Sequence, residues 1–137
     1  MILTALDLKK TDADVFFIDV TKDKWYYEYV QGGIYYHLIT GISKEEFGSG
    51  RDIKRADAAV IMDRVLNMYG KEYSVKEIVY QDVLKNDFGY AYEAIYRVSE
   101  AKIMNGTSQT KFEPARSITR AEAAVVIDRV IKLLENN

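Results

Sequence analysis

The chain has 137 residues, 48% of them hydrophobic, which is enough to bury a core as one compact unit or as two small coupled ones. A formal net charge of -2 and a pI near 5.5 leave no dominant basic face, so nucleic acid is excluded as an expected partner. Cysteine is absent, which removes disulfides, thiolate metal sites and cysteine nucleophiles together, and stability must come from packing. No run is long and apolar enough to insert in a membrane, and the first residues, Met1 to Asp7, lack the basic start and continuous apolar stretch of a secretory signal.

In chain order, residues 1–15 come first and read as a linker or as the closing turns of an element that begins before them. Trp25, Tyr29, Val30 and Tyr36 then recur at helical spacing around Gly32-Gly33, with Gly41 as a stop. A loop over 41–52 is rich in glycine, serine and charge. Residues 54–69 place Ala56, Ala59, Val60, Met62 and Val65 on one apolar face, with Asp63 and Arg64 expected to point away from it. Further helices are predicted over 88–102 and 119–135, with Pro114 in the loop between them, where it disturbs no helix interior. Extended structure is expected at most as a short pairing around 17–20 and its counterpart.

These elements are two copies of one pattern. Ile53 to Val65 matches Ile118 to Val130 at nine of thirteen positions, 65 residues apart. At the same offset Gly41 answers Gly106, Phe47 answers Phe112 and Trp25 answers Tyr90. Asp19-Val20 answers Asp82-Val83 at an offset two residues shorter, so the second copy carries a small insertion after Val83. The divisions that follow are 1–15, a first repeat over 16–70, a linker over 71–79 and a second repeat over 80–137. Thr119 and Glu122 form a capping box at the start of the last helix. Lys54 and Asp57 occupy the same places in the first copy, where the cap is expected to be weaker or shifted to Asp52.

An aromatic-Asp-Val opening, an aromatic helix, a glycine turn, Phe112-Glu113-Pro114 and Ile118-Thr119-Arg120-Ala121-Glu122-Ala123 before an apolar helix together resemble the S-layer homology domain. The second repeat fits nearly throughout; the first departs at Lys54, at Asp57 and at Gly48-Ser49. The resemblance implies an all-α fold of helix-loop-helix repeats, part of a three-pronged bundle of three. It also implies a non-enzymatic anchor, outside the cell and on the bacterial cell wall, that recognises secondary cell-wall polysaccharide through a pyruvylated, acidic sugar. No metal or cofactor is implied. Two repeats of an array of three suggest self-association as a further property, and a protein-interaction scaffold that has lost glycan binding is the alternative function.

A ketal carboxylate needs a fixed cation and hydrogen-bond donors, and an arginine in the first turn of a helix supplies both. Arg120 and its duplicate Arg55 are therefore the expected polysaccharide-binding cations. Trp25 is a candidate stacking platform, and Tyr26, Tyr27, Tyr35 and Tyr36 are candidate groove residues. Gly41 and Gly106 are expected to be turn residues with positive φ that also let a sugar approach. Thr119, Glu122 and Asp57 are expected to be caps. The lone His37, with no partner set for nucleophilic or phosphate chemistry, argues against catalysis.

Overall fold

The computed structural model describes residues 2–9, 12–75 and 80–136, so part of the 71–79 linker lies outside the described residues. Among these residues the fold is all-α: α1 (Ile2–Ala5), α2 (Tyr27–Tyr35), α3 (Arg55–Met68), α4 (Lys85–Phe88), α5 (Tyr92–Glu100) and α6 (Arg120–Glu135). α4 lies where the second repeat carries its two extra residues, between Val83 and Tyr90. In place of a paired strand near 17–20, each repeat makes one backbone bond to its own loop, Ile18 N to Glu45 O (2.9 Å) and Gln81 N to Thr110 O (2.8 Å). The one isolated bridge among the described residues joins Lys54 to Ser117.

The chain divides into two compact units, residues 1–51 and 52–137. The cut falls inside the first sequence repeat because α3 packs on α5, the first long helix of the second repeat, while α2 packs on α1. The unit of residues 52–137 therefore combines the closing helix of the first repeat with the opening helix of the second. α1 ends as α3 does. Asp7 has φ 51° and the Leu8 amide reaches Leu3 O (2.9 Å), as Gly70 has φ 69° and the Lys71 amide reaches Leu66 O (2.8 Å) after α3.

In the unit of residues 1–51, Gly32 and Gly33 lie within α2 and do not interrupt it. A side chain at Gly32 would drive into the Leu8 carbonyl, and a Cβ at Gly33 would stand 2.5 Å from Ile39 Cδ1 and 2.9 Å from Leu3 Cδ1. These glycines are spent on close approach. α2 ends before Gly41, at a left-handed His37 (φ 57°), and α5 ends the same way at Lys102 (φ 58°). The residues that follow directly, Leu38 and Ile103, bury their side chains almost completely. Their amides close back on Gly33 O (2.8 Å) and Val98 O (3.0 Å).

In the unit of residues 52–137, α3 buries Ala56, Ala58, Ala59, Met62, Val65 and Leu66. Asp63 does not point away: it is buried and takes a two-pronged bond from Arg97 of α5, Nε at 2.8 Å and Nη2 at 2.7 Å. A carboxylate removed from water needs such a partner, and a planar guanidinium supplies one with matched geometry. Glu93, one turn before Arg97, receives its Nη1 at 3.1 Å.

Candidate functional site

Each repeat carries the same loop clamp. The Asp19 carboxylate accepts the amides of Phe47 (2.8 Å), Gly48 (2.8 Å) and Ser49 (2.9 Å), and the Asp82 carboxylate accepts those of Phe112 (2.9 Å) and Glu113 (2.7 Å). The third bond is missing in the second repeat because Pro114 has no N–H. Gly48 and Glu113 share a left-handed backbone (φ 87° and 55°), which turns successive amides toward one carboxylate. The clamp was legible in principle: an aspartate recurs before each loop, but nothing in its local sequence says that its oxygens reach backbone about 30 residues on.

Gly41 and Gly106 do not have positive φ. Crowding makes them glycines. A Cβ at Gly106 would lie 2.5 Å from Ser108 O and 2.7 Å from both Lys111 O and Tyr80 Cε1, and one at Gly41 would press on the Phe17 ring with Glu46 O at 2.5 Å. The Gly106 amide donates to the Tyr80 phenol oxygen at 3.1 Å.

The two duplicated arginines have different surroundings. Arg55 is only 5% exposed, and its guanidinium has a protein acceptor on every nitrogen: Nε on Phe112 O (2.8 Å), Nη2 on Asn105 O (2.8 Å) and Nη1 on Glu122. It also lies over the Phe112 ring, 4.6 Å from the centroid. The carboxylate that sequence reasoning assigned to a sugar is, at this position, supplied by the protein. Arg120 is exposed at the opening of α6, and among the described residues no acceptor for its guanidinium is found.

The helix starts differ in the same way. Thr119 caps α6 by accepting the Glu122 amide at 3.1 Å, as its capping-box position predicts. The Glu122 carboxylate goes elsewhere, binding Arg116 (Nη1 2.8 Å, Nη2 3.2 Å) as well as Arg55. α3 begins at Lys54 with no side-chain cap, and Asp52 does not take that place. The first amides of α3 are met by loop carbonyls, Arg55 N by Arg116 O (2.9 Å) and Ala56 N by Pro114 O (3.0 Å). Asp57 caps nothing there and accepts the Tyr90 hydroxyl at 2.8 Å.

Hydrogen bonds from Arg116 and from Thr119, with the Arg55 charge, outweigh burial and lower the Glu122 carboxyl to about 2. Amides of Ser49 and Phe47 lower Asp19 to about 2 as well. Both groups are stronger acids folded than their ordinary values of 4.5 and 3.8, so the stability they contribute is complete above about pH 4.5 and is lost as pH falls toward 2. Acid unfolding followed by circular dichroism is expected to begin in that window. Glu122→Gln should flatten the pH dependence between 4.5 and 2; an unchanged acid limb would show that the Arg116–Glu122–Arg55 bridge contributes nothing.

In the unit of residues 1–51, Trp25 is 74% exposed and stands just before α2. Tyr26 and Tyr29 meet it at steep angles, with ring centroids 5.5 and 6.5 Å away. Tyr35 and Tyr36 lie at the exposed far end of α2, edge to face at 5.0 Å. His37 is exposed beyond them.

Residues 17–59 and 80–124 match the S-layer homology domain, which is more than half of the chain. An endoglucanase of Bacillus sp. (strain KSM-635) is 33% identical over 88% of the chain, and a surface-layer 125 kDa protein of Lysinibacillus sphaericus is 28% identical over 93%. The chain spans 12% and 11% of the length of these two relatives. No solved structure matches. No described helix is long and apolar enough to cross a membrane. From the repeated loop clamp, the repeated helix start and the two matched stretches together, the chain belongs to the S-layer homology domain family, whose members associate with the cell surface and cell wall.

Proposed function

We propose that this chain holds its parent protein non-covalently on the bacterial cell wall by binding secondary cell-wall polysaccharide through a pyruvylated, acidic sugar. The observation that supports this most is the contrast between the duplicated arginines. Arg55 is consumed by Phe112, Asn105 and Glu122, whereas Arg120 stands exposed with the opening amides of a 16-residue helix behind it. A guanidinium beside a helix start is suited to a carboxylate by both its fork and the helix partial charge. In this proposal Arg55 contributes through Glu122, which fixes the start of α6, and Gly41 and Gly106 shape the loops beside the sugar. Catalysis has no part in it, and the cell wall is the expected location of the chain. Binding to purified polysaccharide before and after removal of its pyruvate tests the proposal: affinity should fall at least tenfold with the carboxylate gone, and equal affinity would refute an ionic grip.

A scaffold role through self-association is favoured by one further observation. α3 buries eight residues, from Arg55 to Leu66, whereas the duplicated α6 buries only Val126 and Val130 and leaves Val125 47% exposed. The face that α3 turns to α5 is thus open on α6, with Asp128 standing where α3 has Asp63. Sedimentation equilibrium should then show mass rising with concentration, and Asp128→Arg should suppress it. A strictly monomeric chain at every concentration would leave the anchoring role alone.

A further inference from the structure

We propose that Asn105 is a site of spontaneous deamidation, held shut in the folded chain by the Tyr80 hydroxyl and converted irreversibly once the loop of the second repeat opens. Asn105-Gly106 is the chain's one asparagine–glycine pair. An asparagine is open to attack on its own side chain by the backbone nitrogen of the next residue, and a glycine there offers that nitrogen with no side chain to shield it. The glycine is obligatory here, because a Cβ at position 106 would press on Ser108 O, Lys111 O and the Tyr80 ring. The Asn105 side chain is exposed, and among the described residues it has no hydrogen-bond partner to restrain it. Arg55 adds to the hazard. Its Nη2 donates to Asn105 O (2.8 Å), the carbonyl of the same peptide group, which draws electron density from the Gly106 nitrogen and eases loss of its proton.

The hydrogen bond on that proton opposes attack. Gly106 N donates to the Tyr80 hydroxyl at 3.1 Å, and the proton must leave before the nitrogen can act as a nucleophile. The hydroxyl is fixed in turn by Ser99 Oγ (2.9 Å), which donates to Met104 O (3.0 Å). Tyr80 and Ser99 are buried, and the Tyr80 ring packs on Tyr96 and Phe112, with centroids 5.6 and 5.4 Å away. The relay ends on a carbonyl, so no base along it takes the proton. The two repeats differ as such a guard requires. Gly41, the crowded glycine of the first repeat, follows Thr40, which has no amide to lose, and the ring against it is that of Phe17, which has no hydroxyl. Ile34 stands at the place of Ser99. The hydroxyl pair is thus present only in the repeat that carries the asparagine.

When the loop opens, solvent takes the Gly106 amide proton and the nitrogen attacks Cγ of Asn105. The new C–N bond closes a five-membered imide, the bond from Cγ to the side-chain nitrogen breaks, and ammonia leaves with a proton from water. Water then adds to either imide carbonyl and opens the ring, so the net change is amide plus water to carboxylate plus ammonium. Opening at Cγ leaves aspartate. Opening at the other carbonyl leaves isoaspartate, in which the chain runs on through Cγ and is one methylene longer. In that product the former Asn105 carbonyl carbon is a free carboxylate that still suits Arg55, but Gly106 is displaced from Tyr80 and from its close-packed seat. The loop then no longer closes as before, and each chain keeps a permanent record of its opening.

The test incubates the full chain in mildly alkaline buffer, folded or in urea, and follows Asn105, Asn67 and Asn86 by peptide mass spectrometry with chromatographic separation of the aspartate and isoaspartate products. Asn105 should convert at least tenfold more slowly in the folded chain than in urea. Folded Tyr80→Phe, which keeps the ring and removes the acceptor, should convert Asn105 at least tenfold faster than folded wild type, while Asn67 and Asn86 keep their wild-type rates. Equal Asn105 rates in the folded chain and in urea, or a wild-type rate in Tyr80→Phe, would overturn the proposal. If Tyr80→Phe speeds all three asparagines, the fold itself has loosened, and hydrogen exchange of the Gly106 amide in wild type decides. Protection that falls in step with Asn105 conversion as urea is raised supports the guard, and conversion that rises while the amide stays protected overturns it.

Discussion

Replacing Arg55 by alanine is expected to destabilise the unit of residues 52–137 by about 3 kcal/mol, without contact with any ligand. The substitution removes a buried cation that three protein acceptors and an aromatic ring surround. It strands the Phe112 and Asn105 carbonyls and opens a void beside a ring that is otherwise fully buried. Removing one partner of a buried ion pair costs about 3–5 kcal/mol, and the lower end applies because Glu122 keeps Arg116. Urea denaturation monitored by circular dichroism measures it. Wild-type stability in this variant would mean that Arg55 is not the link between the start of α3 and the loop of the second repeat.

Arg97→Met should cost a similar amount, about 3 kcal/mol, for a different reason. Asp63 is then left buried with its charge unmatched, and a methionine offers its oxygens nothing. Replacing both residues, Asp63→Leu with Arg97→Met, should recover most of the loss, since a pair of apolar side chains across α3 and α5 removes the desolvation cost along with the attraction. A double variant as unstable as Arg97→Met alone would contradict the view that the loss comes from a stranded carboxylate. Both effects are read from the same denaturation curves.

The repeat, the four longer helices and the all-α class could be read from the sequence because they rest on periodicity and on identity at a fixed spacing. Helix edges were less legible. Trp25 has the right spacing for α2 but lies before it, since the helix starts at Tyr27 and the indole stays in water. The pairing of elements was hidden for a simpler reason. Repeats align each opening helix with its own closing helix, while packing joins α3 to α5. Asp63 looked solvent-facing on a helical wheel because its partner sits on another helix 34 residues on, and no local pattern announces Arg97. The duplicated arginines looked equivalent for the same reason: similar motifs open α3 and α6, and no local pattern announces that Phe112, Asn105 and Glu122, 50 to 67 residues on, receive Arg55. Gly41 and Gly106 show a complementary limit, because composition identifies a glycine without telling crowding from left-handed backbone.

The most direct measurement compares wild type and Arg120→Ala on immobilised, pyruvylated cell-wall polysaccharide. Loss of one charge-assisted contact, about 1.5–3 kcal/mol, corresponds to roughly 10- to 100-fold weaker binding. Folding should be untouched, since the side chain is exposed. A tenfold or greater loss with an unchanged denaturation midpoint is the predicted result. Equal binding by the two proteins would show that the exposed helix-start arginine does not hold the cell wall.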